Sequence, residues 1–337
     1  MERRPLDIPQ LQTAECFYWR YEEFKFSELH IHLMPVLQPS CDTTFETSEF
    51  FHGEWWSRIT SLHWEVPIAA TVVYMLMMFV LKSYMKNRKP MRLTPLVCTW
   101  NFGLSIFSFC GMCYCLPALL HGRRKGLVTA GFYDSVCGHA YDYGNGTVGM
   151  FVALFIYSKV FELVDTLWLL LRKTHVIFLH WYHHVTVLLY CWHAYSSRIG
   201  TGLYFATMNY SVHSIMYFYY GLTQCGGTGR LIAKQFAIVI TTMQLLQMVI
   251  GILVTVASVF YHLQGNICFV SLYNSFLGLL MYLSYFILFI QLFLQHYVYK
   301  KTVKPLSESS SKGEVDSLNA AADVTNMTQA CSRTKQM

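Results

Sequence analysis

Seven apolar segments follow one another along this chain, and they restrict its fold more than any other feature. Their approximate bounds are residues 66–84, 94–120, 148–171, 176–195, 199–222, 232–261 and 269–295. Each is close to or above the roughly 20 residues that a helix needs to cross a bilayer. Segments in lipid must satisfy their own backbone hydrogen bonds, and these runs lack the alternating pattern of barrel strands. The sequence therefore predicts an all-α polytopic membrane protein with seven transmembrane helices.

The distribution of charge supports a membrane location. Charged residues make up 13% of the chain, against about 25% in soluble domains. The net charge of +6 comes from short basic clusters between the apolar segments, and no basic stripe with interleaved aromatic residues is present. This pattern indicates loops at a membrane surface, and we expect no nucleic-acid partner.

Basic loops also predict how the chain is oriented across the membrane, because cytosolic loops carry an excess of Lys and Arg. The loops after segments one, three and five and the tail after segment seven contain Lys82, Lys86, Arg88, Lys89, Arg92, Arg172, Lys173, Arg230, Lys234, Lys300, Lys301 and Lys304. The amino terminus is then lumenal and the carboxyl terminus cytosolic. The basic triplet at 123–125 opposes this orientation.

The composition divides the chain into three regions. Residues 1–65 form a polar, lumenal amino-terminal region, residues 66–299 the seven-helix membrane domain, and residues 300–337 a tail that begins basic and continues with a disordered composition. Asn145 lies in an Asn-Gly-Thr sequence on the predicted lumenal side and is a candidate glycan acceptor. The 11 cysteines are scattered without a zinc-binding pattern.

Three histidines lie within the five residues His180–His184 of the fourth apolar segment. An imidazole in hydrocarbon costs free energy unless a polar group satisfies it, so an intramembrane cluster indicates a functional site. Polar residues interrupt three other segments as well: Lys159, Glu162, Asp165 and Thr166 in the third, Asn209, His213, Tyr217 and Tyr220 in the fifth, and Gln244 and Gln247 in the sixth. Structural hydrogen bonding is the competing interpretation of each group.

The four polar groups are predicted to lie at a similar depth. At a rise of 1.5 Å per residue they fall roughly 9–18 Å from the cytosolic ends of their helices, although neighbouring segments run in opposite directions. Within the third segment, Lys159, Glu162 and Thr166 are three and four residues apart, so they share one helix face. We therefore expect one interior site in the cytosolic half of the membrane.

Narrower interpretations remain open for some of these residues. A buried ion-pair network of Lys159, Glu162 and Asp165 would hold the helices in register, and it is compatible with catalysis. Interhelical hydrogen bonding is the expected role of the two glutamines. The tyrosines at 217–220 belong either to the mouth of the site or to an interfacial aromatic belt.

Three kinds of protein fit a site of this composition. A di-iron membrane desaturase or hydroxylase uses several HxxHH boxes, whereas this chain has one such box together with His213. A seven-helix receptor has the same predicted topology, but its pocket would open to the other side of the membrane. The third kind is an acyltransferase in which a neutral imidazole attacks a thioester and a carboxylate such as Asp165 or Glu162 orients the ring.

Four motifs together resemble those of the very-long-chain fatty acid elongases, the ELO family. They are KVFELVDT at 159–166, HWYHH at 180–184, MNYSVHSIMYFYY at 208–220 and TTMQLLQ at 241–247. The resemblance covers roughly residues 60–300. The sequence around HWYHH is closest in look to the branch that acts on saturated and monounsaturated chains.

The resemblance implies a condensing enzyme, a 3-oxoacyl-CoA synthase that joins a long acyl-CoA to malonyl-CoA with loss of CO2 and CoA. It implies seven helices around a narrow tunnel closed at the lumenal end, with no cofactor and no metal. His183 would then be the acyl-accepting nucleophile and His213 its assistant in condensation. Other residues would line or brace the site: His180, His184, Lys159, Glu162, Asp165, Asn209 and Gln244. We add Gln247, Tyr217 and Tyr220 as candidates near substrate, and Arg172, Lys173, Arg230 and Lys234 as candidate contacts of CoA phosphates.

The family further implies location and partners. A disulfide between Cys137 and Cys268 would tie two lumenal loops together in an oxidising compartment. The expected setting is the endoplasmic reticulum membrane, with acyl-CoA, malonyl-CoA, the lipid bilayer and the other enzymes of the elongation cycle as partners. A homo-oligomeric state is left open.

Overall fold

A computed structural model describes residues 18–21, 24–26, 29–31, 35–38, 50–122 and 125–299 of the chain. The chain divides into two compact units, Met1–Glu49 and Phe50–Met337. In the first unit, β1 (Tyr18–Tyr21) pairs antiparallel with β4 (Pro35–Gln38), and β2 (Phe24–Phe26) pairs antiparallel with β3 (Leu29–Ile31). These short strands were not among the sequence predictions. The predicted disordered tail at 300–337 lies outside the described residues.

The second unit is helical throughout its described regular structure. Its α-helices are α1 (Gly53–Leu62), α2 (Glu65–Met85), α3 (Thr94–His121), α4 (Phe132–Cys137), α5 (Gly146–Glu162), α6 (Val164–Leu171), α7 (Phe178–Ser196), α8 (Gly202–Gln224), α9 (Gly226–Leu263) and α10 (Leu272–Phe293). A 3₁₀ turn spans Ala140–Asp142, and a π-helical turn at Leu294–Tyr299 follows α10.

Helices occupy all seven apolar segments, with α5 and α6 together covering the third. Among the described residues, five stretches are long and apolar enough to span a membrane: Glu65–Met85, Thr94–His121, Gly146–Leu171, Gly226–Leu263 and Leu272–Phe293. The other two segments form α7 and α8, which carry the histidine box and the Asn209–Tyr220 group and are correspondingly more polar. The all-α, multi-pass architecture is confirmed, and the count of seven spans stays a prediction.

Six of these elements close into a ring. Helix α3 packs on α8, α8 on α9, α9 on α10, α10 on α7, α7 on α5, and α5 on α3. Helix α2 packs against α6 and α7, and its most apolar stretch is only 11% buried. Large side chains such as Trp192, Tyr210 and Tyr285 are buried in the unit, while Phe79 and Ile106 are exposed. An apolar exterior of this kind suits contact with lipid, because the bilayer replaces water as the surrounding solvent.

The connecting loops gather at two opposite ends, as alternating helix directions require. At one end, Gly200 N donates to Phe269 O (2.9 Å) and Phe269 N donates to Cys137 O (3.3 Å). At the other end, Met91 N donates to Leu171 O (3.0 Å). The first end corresponds to the predicted lumenal side, where the implied pair Cys137 and Cys268 forms a disulfide.

Short-range contacts order the loops at the disulfide end. His139 Nδ1 accepts a hydrogen bond from Tyr141 N at 3.0 Å, and the two rings stack with centroids 4.9 Å apart. Burial, reinforced by the positive charge of Arg198, lowers the pKa of His139 below its ordinary value. The ring is therefore neutral at physiological pH and keeps Nδ1 available as an acceptor.

Helix α1 belongs to the membrane unit, although the sequence-based boundary at residue 65 places it outside. It packs against α5 and α7. Thr60 Oγ1 shares a 2.7 Å hydrogen bond with Tyr157 OH, and Trp192 Nε1 donates to Thr60 O at 2.7 Å. Asn145, the candidate glycan acceptor, is half-buried, and its Oδ1 accepts from Gly53 N at 3.0 Å. Its side chain therefore fixes the start of α1, and glycosylation there stays a prediction.

We expect the Cys137–Cys268 bridge to contribute about 2–4 kcal/mol, because it closes a loop with a sequence separation of 131. Cys268→Ser should lower the thermal unfolding temperature of detergent-purified protein, and reduction of the parent with dithiothreitol should do the same. Cys110→Ser, which removes an exposed free thiol, is the control and should leave the transition in place. Equal unfolding temperatures for the parent and Cys268→Ser would show that the bridge does not stabilise the fold.

Candidate active site

A buried ion pair within α5 is connected to α8 by Asn209. Lys159 Nζ donates to Glu162 Oε1 at 2.7 Å and to Asn209 Oδ1 at 3.0 Å. Asn209 Nδ2 lies 3.1 Å from His213 Nε2, and Ser158 Oγ donates to Glu162 Oε1 at 3.1 Å. The lysine and glutamate side chains are 1% and 5% exposed. Both charges are removed from water, so each depends on the other for its stability.

One carboxylate oxygen of this network can still accept a hydrogen bond. Glu162 Oε2 is buried and has no hydrogen-bond partner, and it lies 4.0 Å from His213 Nδ1. A buried carboxylate oxygen without a donor is costly. A small movement of the imidazole would bring its N–H to this oxygen. Glu162 can therefore orient His213 and stabilise a positive charge on that ring.

The histidine box lies on α7 beside this network. His180 Nε2 is 2.9 Å from Thr166 Oγ1, and the rings of His180 and His184 are 4.5 Å apart. Tyr285 of α10 packs its ring 4.9 Å from that of His183 and directs its hydroxyl to the His183 carbonyl at 3.3 Å. The Nδ1 atom of His183 is buried without a hydrogen-bond partner.

Helix α7 is joined to the other polar groups by contacts on α6. His180 of α7 lies 2.9 Å from Thr166, and the adjacent Asp165 accepts from Tyr217 of α8. The polar groups of α5, α7 and α8 thus meet in one interior region, as their common depth predicts. The Nδ1 atom of His183 makes no hydrogen bond within the protein. Its lone pair or N–H is therefore available, as suits a group that reacts with a substrate.

Asp165 belongs to a separate network. Its Oδ1 accepts from Trp100 Nε1 at 2.6 Å, and its Oδ2 accepts from Tyr217 OH at 2.7 Å. Both oxygens are therefore occupied by α3 and α8. From the sequence, Asp165 and Glu162 were both considered as carboxylates that orient a histidine. The contacts of Asp165 give it a different role, because it binds Trp100 and Tyr217. The residue that holds His180 is Thr166.

A local break in the helix separates the two carboxylates. Helix α5 ends at Glu162 and α6 begins at Val164, with Leu163 between them. Thr166 N bonds to Leu163 O at 3.3 Å, a 3₁₀-type bond that tightens the turn. Sequence spacing places Glu162 and Asp165 on neighbouring positions of one helix face. In the structure the tightened turn lies between them, and Glu162 binds Lys159 while Asp165 binds Trp100.

The remaining predicted residues lie at varying distances from these networks. Among the described residues, Gln244 and Gln247 join neither network; Gln244 Nε2 contacts Met216 Sδ at 3.4 Å, and Gln247 is buried. Tyr220 stacks edge-on to Tyr217 with ring centroids 6.4 Å apart. The glutamine contact agrees with the interhelical role considered for that residue.

The basic candidates differ in how available they are to a phosphate. Arg172 is buried, whereas Lys234 is exposed. Lys173 Nζ donates to the carbonyls of Lys86 (3.0 Å) and Arg88 (2.8 Å), and so joins α6 to the end of α2. Arg230 Nε makes a 3.4 Å contact with Gly226 O. Lys173 therefore has a structural function of its own.

Three site residues are absent from the sequence predictions. Trp100 holds Asp165, Tyr285 packs on His183, and Tyr74 OH bonds to Thr166 Oγ1 at 2.9 Å. Each lies within an apolar run, where an aromatic residue usually packs against core or lipid. Only the weakly polar tip of each side chain could have indicated a partner, and its identity depends on which helices are neighbours.

The fold and site define a helical, multi-pass membrane protein with a buried cluster of histidines, carboxylates and lysine. The profile of the ELO (GNS1/SUR4) family matches residues 59–305, and this chain belongs to that family. The chain is 42% identical over 269 residues to "Fatty acid elongase 3" of Trypanosoma cruzi, an alignment covering 74% of this chain and 89% of the relative. It is 42% identical over 270 residues to "Very long chain fatty acid elongase 4" of the same organism, covering 79% and 91%. Identity to "Very long chain fatty acid elongase 6" of Gallus gallus is 36% over 241 residues, covering 71% and 87%.

Removal of one partner of the buried ion pair should destabilise the protein strongly. We expect Lys159→Met to cost about 3–5 kcal/mol, because Glu162 would be left charged and without its cation. The double variant Lys159→Met/Glu162→Leu should recover much of that loss, since no buried charge remains. Thermal unfolding in detergent measures both, with Lys82→Met on exposed α2 as the matched control. Equal losses in the single and double variants would contradict a stabilising pair.

Proposed function

We propose that this chain catalyses the condensing step of fatty acid elongation through a covalent acyl-histidine intermediate on His183. Membership of the ELO family makes the chain a fatty acid elongation enzyme, a very-long-chain 3-oxoacyl-CoA synthase, with acyl-CoA substrates and a membrane setting. The covalent route, the identity of malonyl-CoA as the second substrate and the roles of individual residues belong to the proposal.

The first half-reaction is acyl transfer to the enzyme. The neutral imidazole of His183 attacks the thioester carbonyl of acyl-CoA, a carbon–nitrogen bond forms, and the carbon–sulfur bond breaks. CoA leaves as a thiol after it takes the N–H proton that the acylated imidazole ring loses, and the acyl group remains on the imidazole. An acyl-imidazole is activated, because its nitrogen leaves readily in the next step.

The second half-reaction forms the new carbon–carbon bond. Malonyl-CoA loses its carboxylate as CO2, and the electron pair of the broken bond becomes the enolate of acetyl-CoA. That enolate attacks the acyl carbonyl, and the carbon–nitrogen bond to His183 breaks. The products are 3-oxoacyl-CoA, CoA and CO2. The departing imidazole nitrogen takes up one proton, which regenerates the neutral imidazole for another turnover.

The single observation that supports His183 as nucleophile is its unengaged buried Nδ1 beside a charged network. His180 is bound to Thr166, and His213 contacts Asn209 and faces Glu162. The ring of His183 packs on that of Tyr285, and its buried Nδ1 makes no hydrogen bond. Packing holds the ring in place while its Nδ1 makes no hydrogen bond, so this nitrogen is free to react.

The neighbouring groups supply electrostatic stabilisation. A fixed ammonium at Lys159 and the imidazole of His213 can stabilise negative charge that develops on the thioester or enolate oxygen. Glu162 keeps the ammonium in place and balances charge that forms on His213. His180 and His184 pack around the reacting ring, and Asp165 holds α3 and α8 against α6 through Trp100 and Tyr217.

The proposal extends to the cellular setting. The enzyme would lie in the endoplasmic reticulum membrane with its amino terminus in the lumen and its carboxyl terminus in the cytosol, and CoA would enter from the cytosolic side. Exposed basic residues near that side, Lys234 among them, would contact the CoA phosphates. The 3-oxo product requires a reductase and a dehydratase to complete the cycle, so those enzymes are the expected partners.

We expect His183→Ala to lower condensation by more than about a thousandfold, because removal of a covalent nucleophile has effects of at least that size. Incubation of the parent with acyl-CoA in the absence of malonyl-CoA should add one acyl group to the peptide that contains His183, as read by mass spectrometry. His175→Ala, which removes an exposed imidazole nearby, should retain both activity and adduct. An adduct that persists in His183→Ala would assign the nucleophile to another residue.

The same assay separates this chemistry from that of a di-iron oxygenase. Among the described residues, no group of three or more His, Cys, Asp or Glu is arranged to hold a metal ion. We expect condensation of acyl-CoA with malonyl-CoA to be unaffected by extensive treatment with a strong chelator. Loss of activity on chelation, with recovery on addition of iron, would support the metal-dependent alternative.

A further inference from the structure

A pair of free cysteines lies in contact at the end of the helix ring opposite the Cys137–Cys268 disulfide. The sulfur atoms of Cys98, in the second turn of α3, and Cys225, between α8 and α9, are 3.7 Å apart. Both thiols are unoxidised in the structure. Helix α8 starts at the disulfide end, and its 23 residues span about 35 Å. Cys225, which follows its last residue, is therefore at the far end of the ring.

The two thiols meet because α3 and α8 approach closely along an antiparallel seam. One turn further into the ring, a Cβ added at Gly221 would lie 2.8 Å from the Phe102 ring. Deeper still, Ser105 Oγ donates to Ser214 O at 2.7 Å. Residue numbers rise along α3 as they fall along α8, so the two cysteines occupy the next facing positions of the same seam.

Both thiols are directed at one carbonyl oxygen. Gly221 O accepts a hydrogen bond from Cys225 Sγ at 3.4 Å and another from Cys98 Sγ at 3.9 Å. A disulfide needs its sulfur atoms about 2.0 Å apart, so this pair must approach by roughly 1.7 Å. The movement gives up only weak hydrogen bonds, because a thiol is a poor donor.

The chain next to Cys225 has room for this movement. Gly226 has a φ of +83°, a left-handed conformation that glycine adopts without strain. A Cβ added at Gly226 or Gly227 would meet no more distant part of the described chain within 4 Å. The corner between α8 and α9 can therefore shift without a collision, whereas Cys98 is fixed within α3.

Exposure gives the two cysteines different roles. Cys225 is exposed and Cys98 is half-buried. An exposed thiolate is the one that meets a dissolved oxidant, and a neighbouring thiol then resolves the oxidised sulfur. Arg230 and Lys234 follow in the first turns of α9, on the side predicted to be cytosolic. Thiols in the cytosol are kept reduced at rest, and disulfides that form there are mostly transient and redox-sensing.

We propose that Cys98 and Cys225 form a modification site, at which a hydroperoxide such as hydrogen peroxide generates a reversible disulfide between α3 and the α8–α9 corner. The contact between the sulfur atoms, the exposure of one thiol and the open glycine corner support it. Formation of this bond does not depend on the reaction proposed for the histidines.

The oxidation takes two steps. The thiolate of Cys225 attacks one peroxide oxygen, so that a sulfur–oxygen bond forms, the oxygen–oxygen bond breaks, and the departing oxygen takes a proton and leaves as water. The thiolate of Cys98 then attacks the sulfenic sulfur, a sulfur–sulfur bond forms, and the hydroxyl group leaves and takes a proton. Two thiols are oxidised to one disulfide, and one peroxide is reduced to two waters.

A disulfide at this position would restrain access to the polar site. His213 is only 8% exposed, so a CoA thioester reaches it only when neighbouring elements move. Trp100, two residues beyond the first cysteine, and Tyr217, eight residues before the second, both bind Asp165. The bond would hold α3 and α8 together beside this layer. This consequence rests on the proposed function, and it lowers turnover in the oxidised protein.

The chemical test is peptide mapping of desalted, detergent-purified protein after stoichiometric addition of hydrogen peroxide. Under non-reducing conditions, mass spectrometry should detect a peptide pair joined through Cys98 and Cys225, and reduced thioredoxin should separate it. Cys110→Ser, which removes an exposed thiol elsewhere on α3, should give the same joined pair. Cys225→Ser should give none.

The functional test compares condensation rates with malonyl-CoA before and after oxidation. The parent should lose about tenfold in kcat on peroxide treatment and regain it with reduced thioredoxin, since opening steps limit the turnover of many enzymes. Cys225→Ser, treated in parallel, should keep its rate. That variant exposes the other cysteines and the methionines to the same reagents, so it controls for their oxidation.

The outcomes separate this inference from the proposed function. Peroxide treatment that leaves both thiols free, or joins either one to a different cysteine, would overturn the modification site. A joined pair with unchanged kcat, or an equal loss of kcat in the parent and Cys225→Ser, would overturn its control of access. Absence of condensation in the untreated parent would instead reject the proposed function.

Discussion

The buried Lys159–Glu162 ion pair is the interaction on which the rest of the structure depends. Two opposite charges inside an apolar bundle are tolerated only when each is satisfied, because removal of either from water costs several kcal/mol. Asn209 of α8 accepts a second hydrogen bond from Lys159 Nζ, at 3.0 Å. The pair therefore fixes the registration of α5 against α8, and through Asn209 it sets where His213 stands.

The second polar network, formed by Asp165 and Thr166, holds the helices together around the site. Asp165 binds Trp100 of α3 and Tyr217 of α8, while Thr166 binds His180 of α7 and Tyr74 of α2. Adjacent residues of α6 thus hold four other helices. His183 is left with aromatic packing and an unengaged nitrogen, so its position is rigid while its chemistry remains available. Support of this kind around one free group suits the covalent role proposed for His183.

Much of the site could be predicted from the sequence. Spacing within each segment placed Lys159 and Glu162 on one face, and the shared depth of the four polar groups predicted that they meet. The partners of those groups could not be predicted in the same way. Asp165 was considered as an orienter of histidine, but it binds a tryptophan and a tyrosine, because the turn at Leu163 separates it from Glu162. The glutamines of α9 were expected to make interhelical hydrogen bonds, and Gln244 does contact Met216 of α8, a partner that the sequence did not name.

The sequence by itself determined the class of protein, the helices at each apolar segment and the residues proposed to carry the chemistry. Apolar length and buried polarity are local properties, and lipid leaves a chain few ways to satisfy its backbone. Only the tertiary structure decided that α1 joins the membrane unit, that Trp100 and Tyr285 reach the site, and that Glu54 of α1 pairs with Arg198. These features depend on contacts between residues far apart in the chain, and the pattern within any one segment does not encode which helix lies beside it.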